Sequence, residues 1–352
     1  MKNSKIIALL LILCLVFSLT ACGGQTGGGA PEEGQEPAGG DAAAVTVTDQ
    51  AGREVTIEGS ADRIVSGYYI SSSACIALGL TDRLVGIEAK AASRPIYQLA
   101  APQLIDLPNV GTAKEFDLEG CVALEPDLVI LPLKLKDSAE TLTEMGIPTI
   151  LVNPESHELL AEAIRLIAKA SGDEAAADKL IAYYDAEIAE MAELTKGLAE
   201  GEKPTVYMGG NSSYMATAPK DMYQASLIAA AGGINAAAGI DGSAWTEVSY
   251  EQILAMNPEV IVLPSEAGYS REDVLADAQL ADVTAVKNGA VYAMPSSFEA
   301  WDSPVPSGIL GGKWLLSVLH EDLYAFDDMR ADAKTFYQEF YGAEIDETLV
   351  TK

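Results

Sequence analysis

The sequence predicts an α/β fold of two lobes, each a parallel-sheet α/β sandwich, joined by a long α-helix. Three observations carry that expectation. Residues 116–132 (FDLEGCVALEPDLVILP) line up without gaps on residues 248–264 (VSYEQILAMNPEVIVLP), so the chain repeats itself once. Within each copy, residues 128–131 and 260–263 are apolar without alternation, as in strands buried on both faces of a parallel sheet. Between the copies, Leu180, Ile181, Tyr184, Ile188 and Met191 recur at helical spacing.

Taken in order, residues 63–66 read as a strand, followed by a loop and a helix ending at 77–79. Residues 84–88 read as the next strand. Each repeat copy reads as a short helix, a turn and a strand. Pro126 and Pro258 stop those helices, because proline disfavours the α conformation in the residue before it. Asp173, after Ser171-Gly172, is placed as the N-cap of the joining helix. The pattern of the first lobe returns at residues 204–208 (strand) and 226–232 (helix), and 292–295 read as a further strand. The expected boundaries are 45–170 for the N-terminal lobe, 171–199 for the joining helix and 200–352 for the C-terminal lobe.

The first residues read as an address. Lys2 and Lys5 precede an apolar stretch, residues 6–19, which is too short to span a bilayer comfortably and leads through small residues to Cys22. That is the layout of a secretory signal, here residues 1–21. The ending Leu19-Thr20-Ala21-Cys22 resembles the bacterial lipobox, which implies that Cys22 is lipidated and becomes the mature N-terminus. Residues 22–44 form the lipid-anchored linker; from residue 23 on they are Gly, Ala, Pro, Glu and Gln, with one Thr and one Asp and no large apolar side chain. They cannot bury enough surface to offset chain entropy and form a flexible leash with a reach of about 25 Å. The expected location is extracytoplasmic, on the outer face of the cell membrane. Stable anchoring there takes more than one acyl chain.

The formal charge is −30, and removing residues 1–21 makes it two units more negative. A field of that sign argues against nucleic acid and against an anionic lipid surface as partners, leaving the lipid as the only membrane contact. Cys14 leaves with the signal. Cys75 and Cys121 read as buried free thiols acting as small hydrophobes, with a disulfide left open outside the cytoplasm. His157 and His320 are the only histidines. Both read as surface residues without a partner at ligand spacing, which disfavours a bare metal site. The chain has no G-x-S-x-G, no H-E-x-x-H and no phosphate loop, so it reads as a binding protein, not an enzyme.

A ligand between two such lobes meets the loops that leave the C-terminal ends of the strands. On the first lobe these carry Tyr68 and Tyr69, expected half-exposed, and the bases Lys90 and Arg94. Ser71, Ser72 and Ser73 read as helix caps. On the second lobe the candidates are Asn211, Tyr214, Trp245, Glu299 and Trp301, a set suited to stacking on and hydrogen-bonding a flat or amphipathic ligand.

Anchor, leash, lobes and joining helix together resemble a substrate-binding lipoprotein of an ABC importer. The similar class is the helix-linked one that captures ferric siderophores, haem or cobalamin. The opening VTVTDQAGREVTIEGSADRIVS (45–66) and the segments LEPDLVILP and MNPEVIVLP carry the resemblance. KWLLSVLHE (313–321) is similar to an LWLxxLHPE-like ending of that family, with Glu321 where proline is usual. The resemblance implies that Glu119 and Glu251, at the same position of the two copies, dock to arginines of a permease dimer working with its ATPase. Matched carboxylates on two lobes would set register by charge complementarity. It further implies a monomer with no resident cofactor, holding a small metal chelate as ligand. A ferric siderophore is first choice, with haem, a corrinoid or molybdate/tungstate as alternatives. A tyrosine-ligated haem stays open. A sensor or enzyme on this fold, outside the cytoplasm, ranks below.

Overall fold

The computed structural model describes residues 44–352. Cys22, the signal peptide and the linker up to residue 43 lie outside them. The described chain opens with a hairpin, β1 (Val45–Thr48) and β2 (Glu54–Ile57), paired Val45 to Ile57. Asp49, nearly buried, organises its turn. One carboxylate oxygen accepts the Ala51 and Arg53 amides, and the other accepts the Arg53 guanidinium at 2.7 Å and the Leu151 amide at 3.1 Å. The turn is thereby fastened to the first lobe's sheet.

That sheet is built from β3 (Ile64–Ser66), α1 (Tyr69–Ala77), β4 (Leu84–Ile87), α2 (Pro95–Ala100), α3 (Leu118–Ala123), β5 (Leu128–Pro132), α4 (Lys136–Glu144) and β6 (Thr149–Val152). Its strands are parallel in the order β4-β3-β5-β6. Two helices follow, α5 (His157–Ser171) and α6 (Glu174–Thr195). The second lobe runs through β7 (Thr205–Met208), β8 (Ala216–Thr217), α7 (Tyr223–Ala230), β9 (Ile234–Asn235), β10 (Thr246–Glu247), α8 (Tyr250–Met256), β11 (Val260–Leu263), α9 (Arg271–Ala276), α10 (Thr284–Asn288) and β12 (Val291–Ala293). It closes with α11 (Gly308–Leu319) and α12 (Phe326–Tyr341). Its main sheet is parallel in the order β12-β11-β7-β9, beside a small β8–β10 pairing. Counted by appearance within each lobe, both main sheets have strand order 2-1-3-4. The repeated strand, β5 or β11, enters third and lies beside the first, buried along its whole length.

The repeat extends to backbone detail. Asp117 and Ser249 occupy matching N-cap positions and accept the amides of Gly120 and Gln252. Glu125 (φ 46°) and Asn257 (φ 41°), each just before the turn proline, are the two non-glycine residues with positive φ among the described residues. The helices therefore end through a left-handed residue, a stop that proline at the next position reinforces.

The joining helix α6 has 22 residues, about 33 Å at 1.5 Å per residue. It buries Ala177, Leu180, Ile181, Tyr184 and Met191, with Ile188 partly covered, and packs on α5, α7 and α11. Asp173 stands at its N-cap but makes no side-chain cap bond. Gly172, left-handed, ends α5, and the Asp173 amide is committed to Ala168 O at 2.8 Å. The residue therefore serves the end of α5 instead. Lys313, buried on α11, places its ammonium among Glu187 and Glu190 of α6 and Asp332 of α12. That acidic trio is the one group among the described residues compact enough to hold a cation, and the ammonium occupies it.

Cys75 and Cys121 are free and buried, their thiols pushed up to about 12 by burial. The surface reading of the histidines does not hold. His320 is 6 % exposed, with Nε2 3.2 Å from Gly232 O. The His157 ring lies 4.9 Å from that of Tyr223 and 6.3 Å from that of Tyr184. Its two nitrogens are buried without a partner among the described residues. Residue 157 opens α5 directly after β6, where that helix start meets α7, so an apparent loop position is an interior one.

Candidate functional site

In parallel sheets of this order, the chain leaving the first and third strands runs to opposite sides and opens a crevice at their carboxyl ends. Here the two crevices face each other. The β3 exit supplies Gly67, Tyr68 and Tyr69, and the β4 exit supplies Glu88, Lys90 and Arg94. The β11 exit supplies Ser265 and Glu266, and the chain beyond β12 supplies Ser296, Phe298, Glu299 and Ser303. These enclose two adjoining pockets of about 330 and 210 Å³ that share Tyr69 and Arg94 as a common wall.

Arg94 spans the cleft. Its guanidinium carbon lies 3.4 Å from the centre of the Tyr69 ring, a cation–π stack. Nε is 3.7 Å from Glu88 on its own lobe, and Nη1 is 3.0 Å from Glu266 Oε1 on the other. Lys90 lines the larger pocket and is exposed. Tyr68 and Tyr69 line it half-buried, and burial raises both phenols.

The carboxylates of the cleft are turned into its walls. Glu88 accepts Ser72 Oγ and Tyr97 Oη, each at 2.7 Å. Glu299 accepts the hydroxyls of Ser73, Ser307 and Tyr341. Burial raises the pKa of both above the usual carboxylate value, against the lowering effect of those bonds. Ser72 and Ser73 thus hold buried carboxylates, and the expectation that Ser71–Ser73 cap α1 is corrected. Its N-cap position is Tyr68, without a side-chain cap bond, and Ser71 Oγ reaches the Tyr68 carbonyl at 2.8 Å. Because Ser73 lies on α1 and Glu299 beyond β12, the Glu299 cluster ties the two lobes together at the floor of the cleft.

Trp301, a candidate for ligand contact, is fully buried. Its indole nitrogen donates to Tyr337 Oη at 2.9 Å and its ring stacks on Phe298, so it packs the core beneath the loop. Asn211, Tyr214 and Trp245 gather around the β7 exit and line neither pocket. The Asn211 carbonyl accepts the Gly268 amide at 2.7 Å while its side-chain Oδ1 is buried without a partner. Tyr214 donates to Asp277 at 3.0 Å and packs on Tyr269. Trp245 lies half-buried against Gly210. A Cβ at Gly209 would collide with Tyr269 Oη, so a larger residue there would have to displace that ring.

Sequence reasoning missed Glu88, Ser265, Glu266, Phe298 and Asp302. Asp302 is buried and accepts the Ser265 amide at 3.0 Å. The strand-exit rule applied evenly would have found three of them, since Glu88 follows β4 and Ser265-Glu266 follow the Leu-Pro of the second repeat copy. Glu119 and Glu251 are both exposed, each the second residue of its capped helix. Backbone amides at the helix start and the Ser249 hydroxyl lower the carboxyl of Glu251.

With this geometry in hand, comparison with known proteins is specific. A family model described as periplasmic binding protein matches residues 64–298. The molybdate-binding protein MolA of Haemophilus influenzae is 25% identical over 320 residues, 84% of this chain and 90% of that protein. A cobalamin-binding protein of Halobacterium salinarum is 27% identical over 292 residues, covering 81% and 76%. The crystal structure of a periplasmic solute binding protein from Veillonella parvula superposes with a TM-score of 0.77 at 26% identity, covering 87% of this chain and 95% of that one. The chain belongs to the periplasmic binding protein family.

Proposed function

We propose that this protein is an extracytoplasmic solute-binding lipoprotein, anchored through Cys22, that captures a compact oxyanion of the molybdate type between its lobes. It delivers that solute to an ABC permease, which it meets through Glu119 and Glu251. The partition of the cleft by Arg94 and Tyr69 into two small pockets carries the choice of solute. A haem or a corrinoid needs one continuous slot for its macrocycle, and a ferric siderophore needs a comparably open bowl. A small oxyanion needs a guanidinium, hydroxyl donors and little room, which is what the shared wall offers. The similarity to a molybdate-binding protein over 90% of its length supports the same reading. A compact metal chelate is the second reading, favoured by the half-buried pair Tyr68 and Tyr69.

The test is a titration of the purified protein with molybdate, tungstate, a ferric siderophore, haem and cobalamin, read by melting temperature. A solute at a hundredfold excess over its Kd stabilises the folded state by about 2.7 kcal/mol, or about 4 °C in a protein of this size. The expected response is to molybdate and tungstate. A shift with haem, cobalamin or the siderophore, and none with either oxyanion, rejects the oxyanion assignment.

A further inference from the structure

We propose that Glu266 is a built-in competitor for the solute: in the empty cleft its carboxylate occupies the anion seat on Arg94 and latches the two lobes, and only a solute that outbids it takes that seat. The inference rests on the anionic-solute reading above and adds to it a residue that sets specificity.

The pair is asymmetric, and the asymmetry decides which partner leaves. The Arg94 side chain is 17% exposed, stacked on Tyr69 and flanked by Glu88. The Glu266 side chain is 55% exposed and, among the described residues, has no further hydrogen-bond or ion-pair partner than Arg94. A carboxylate that is half in water loses little by swinging out, whereas moving the guanidinium would break its stack on Tyr69 and take it away from Glu88. Arg94 therefore stays and exchanges its exposed partner.

What remains when Glu266 swings away is a seat. Arg94 Nε is already buried without a hydrogen-bond partner among the described residues, and Nη1 is released. Ser265, 7% exposed, lines the same pocket. Its amide donates to Asp302 Oδ1 at 3.0 Å, and its buried Oγ completes no hydrogen bond among the described residues. The backbone is fixed there, and the hydroxyl has no bond to give up. A guanidinium edge from one lobe and a hydroxyl from the other then bracket one anion, and closure requires both lobes. Because the resident competitor is a monovalent carboxylate, the device favours a dianion, which gains twice the charge interaction with Arg94, and holds off monovalent anions.

The test compares the full-length wild-type protein with Glu266→Gln and Arg94→Gln, using molybdate and perrhenate, a tetrahedral monoanion. Glu266→Gln is expected to bind molybdate about two- to fivefold tighter, the range of an exposed ion pair, and to narrow the preference for molybdate over perrhenate. Arg94→Gln is expected to lose at least tenfold. Unchanged or weaker molybdate binding by Glu266→Gln, with Arg94→Gln impaired, overturns the proposal. A second measurement needs no solute. Hydrogen exchange of the empty protein should quicken in Glu266→Gln across α2 and residues 265–269, and exchange identical to wild type overturns the proposal as well. If the wild type binds neither oxyanion, the solute assignment fails by itself, and the exchange comparison alone decides whether Glu266 latches the cleft.

Discussion

Three carboxyl groups lie in or behind the cleft walls, almost out of reach of water: Glu88 at 5%, Glu299 at 3% and Asp302 at 2% exposure. Burial raises the pKa of each above its ordinary value. A raised carboxyl takes up a proton more readily folded than unfolded, so its stabilising contribution is full below its ordinary value, 4.5 for the glutamates and 3.8 for the aspartate, and is lost as pH rises through the folded value. His157 works the other way. Burial lowers its pKa below the usual 6.5. The contribution of its neutral ring is present above pH 6.5 and is lost as pH falls through the folded value, because the unfolded chain takes the proton first. The groups facing it are Tyr184, Tyr223 and Glu158, of which only the glutamate favours its protonation. His157→Gln is therefore expected to flatten the loss of stability between pH 7 and pH 5.5. Urea midpoints at half-unit steps measure this. If wild type and variant lose stability in parallel over that window, His157 is not the titrating group.

Elements were legible where periodicity or punctuation made them so. The apolar runs of β5 and β11, the helical spacing in α6 and the two turn prolines all stood in the linear sequence. Side-chain duties were not legible when the partner is distant. Ser73 reads as a cap because capping is a local habit of serine, yet its partner is Glu299, 226 residues away. Asp173 reads as a cap because the backbone bond that occupies it comes from the preceding helix. The repeated helix–turn–strand unit carries its own prediction. The Glu125 side chain makes no hydrogen bond among the described residues to offset its left-handed backbone, although its carbonyl accepts the Arg63 guanidinium at 3.0 Å, whereas Asn257 tolerates that region and its side chain receives the Thr284 amide at 2.9 Å and hydroxyl at 3.0 Å. Glu125→Gly should raise stability by about 0.5–1 kcal/mol, the strain relieved less the extra entropy of an unfolded glycine. Asn257→Ala should lower it by about 1–2 kcal/mol, since strain and an unpaired amide then coincide. Chemical denaturation of both variants checks the pair, and a loss on Glu125→Gly would show that the turn needs its side chain.

At the scale of the whole molecule, duplication produces two surfaces with different logic. The cleft is asymmetric. Its contents arise from pairs across the lobes, Arg94 with Glu266 and Ser73 with Glu299, and neither copy of the repeat contains them alone. That is why candidates could be named on each lobe while the partners that define the site could not. On the exposed surface the repeat leaves one matched pair. Glu119 and Glu251 occupy the same position of the same capped helix in both copies, exposed, and could be paired from sequence before either lobe was seen. A position that burial and packing leave unconstrained, yet charged in both copies, fits a partner that is itself two-fold, such as a permease dimer. Replacing both glutamates with alanine removes two surface charges and no buried contact, so stability should move by less than about 0.5 kcal/mol. Solute affinity should stay at the wild-type value, because neither residue lines the cleft. Uptake by cells carrying the cognate permease should be abolished in the double variant, and each single variant should fall between. Solute affinity, melting temperature and transport measured on the same four proteins separate the cases. Loss of affinity together with transport would place the glutamates in the binding site, and full transport at normal protein levels would remove them from the docking surface.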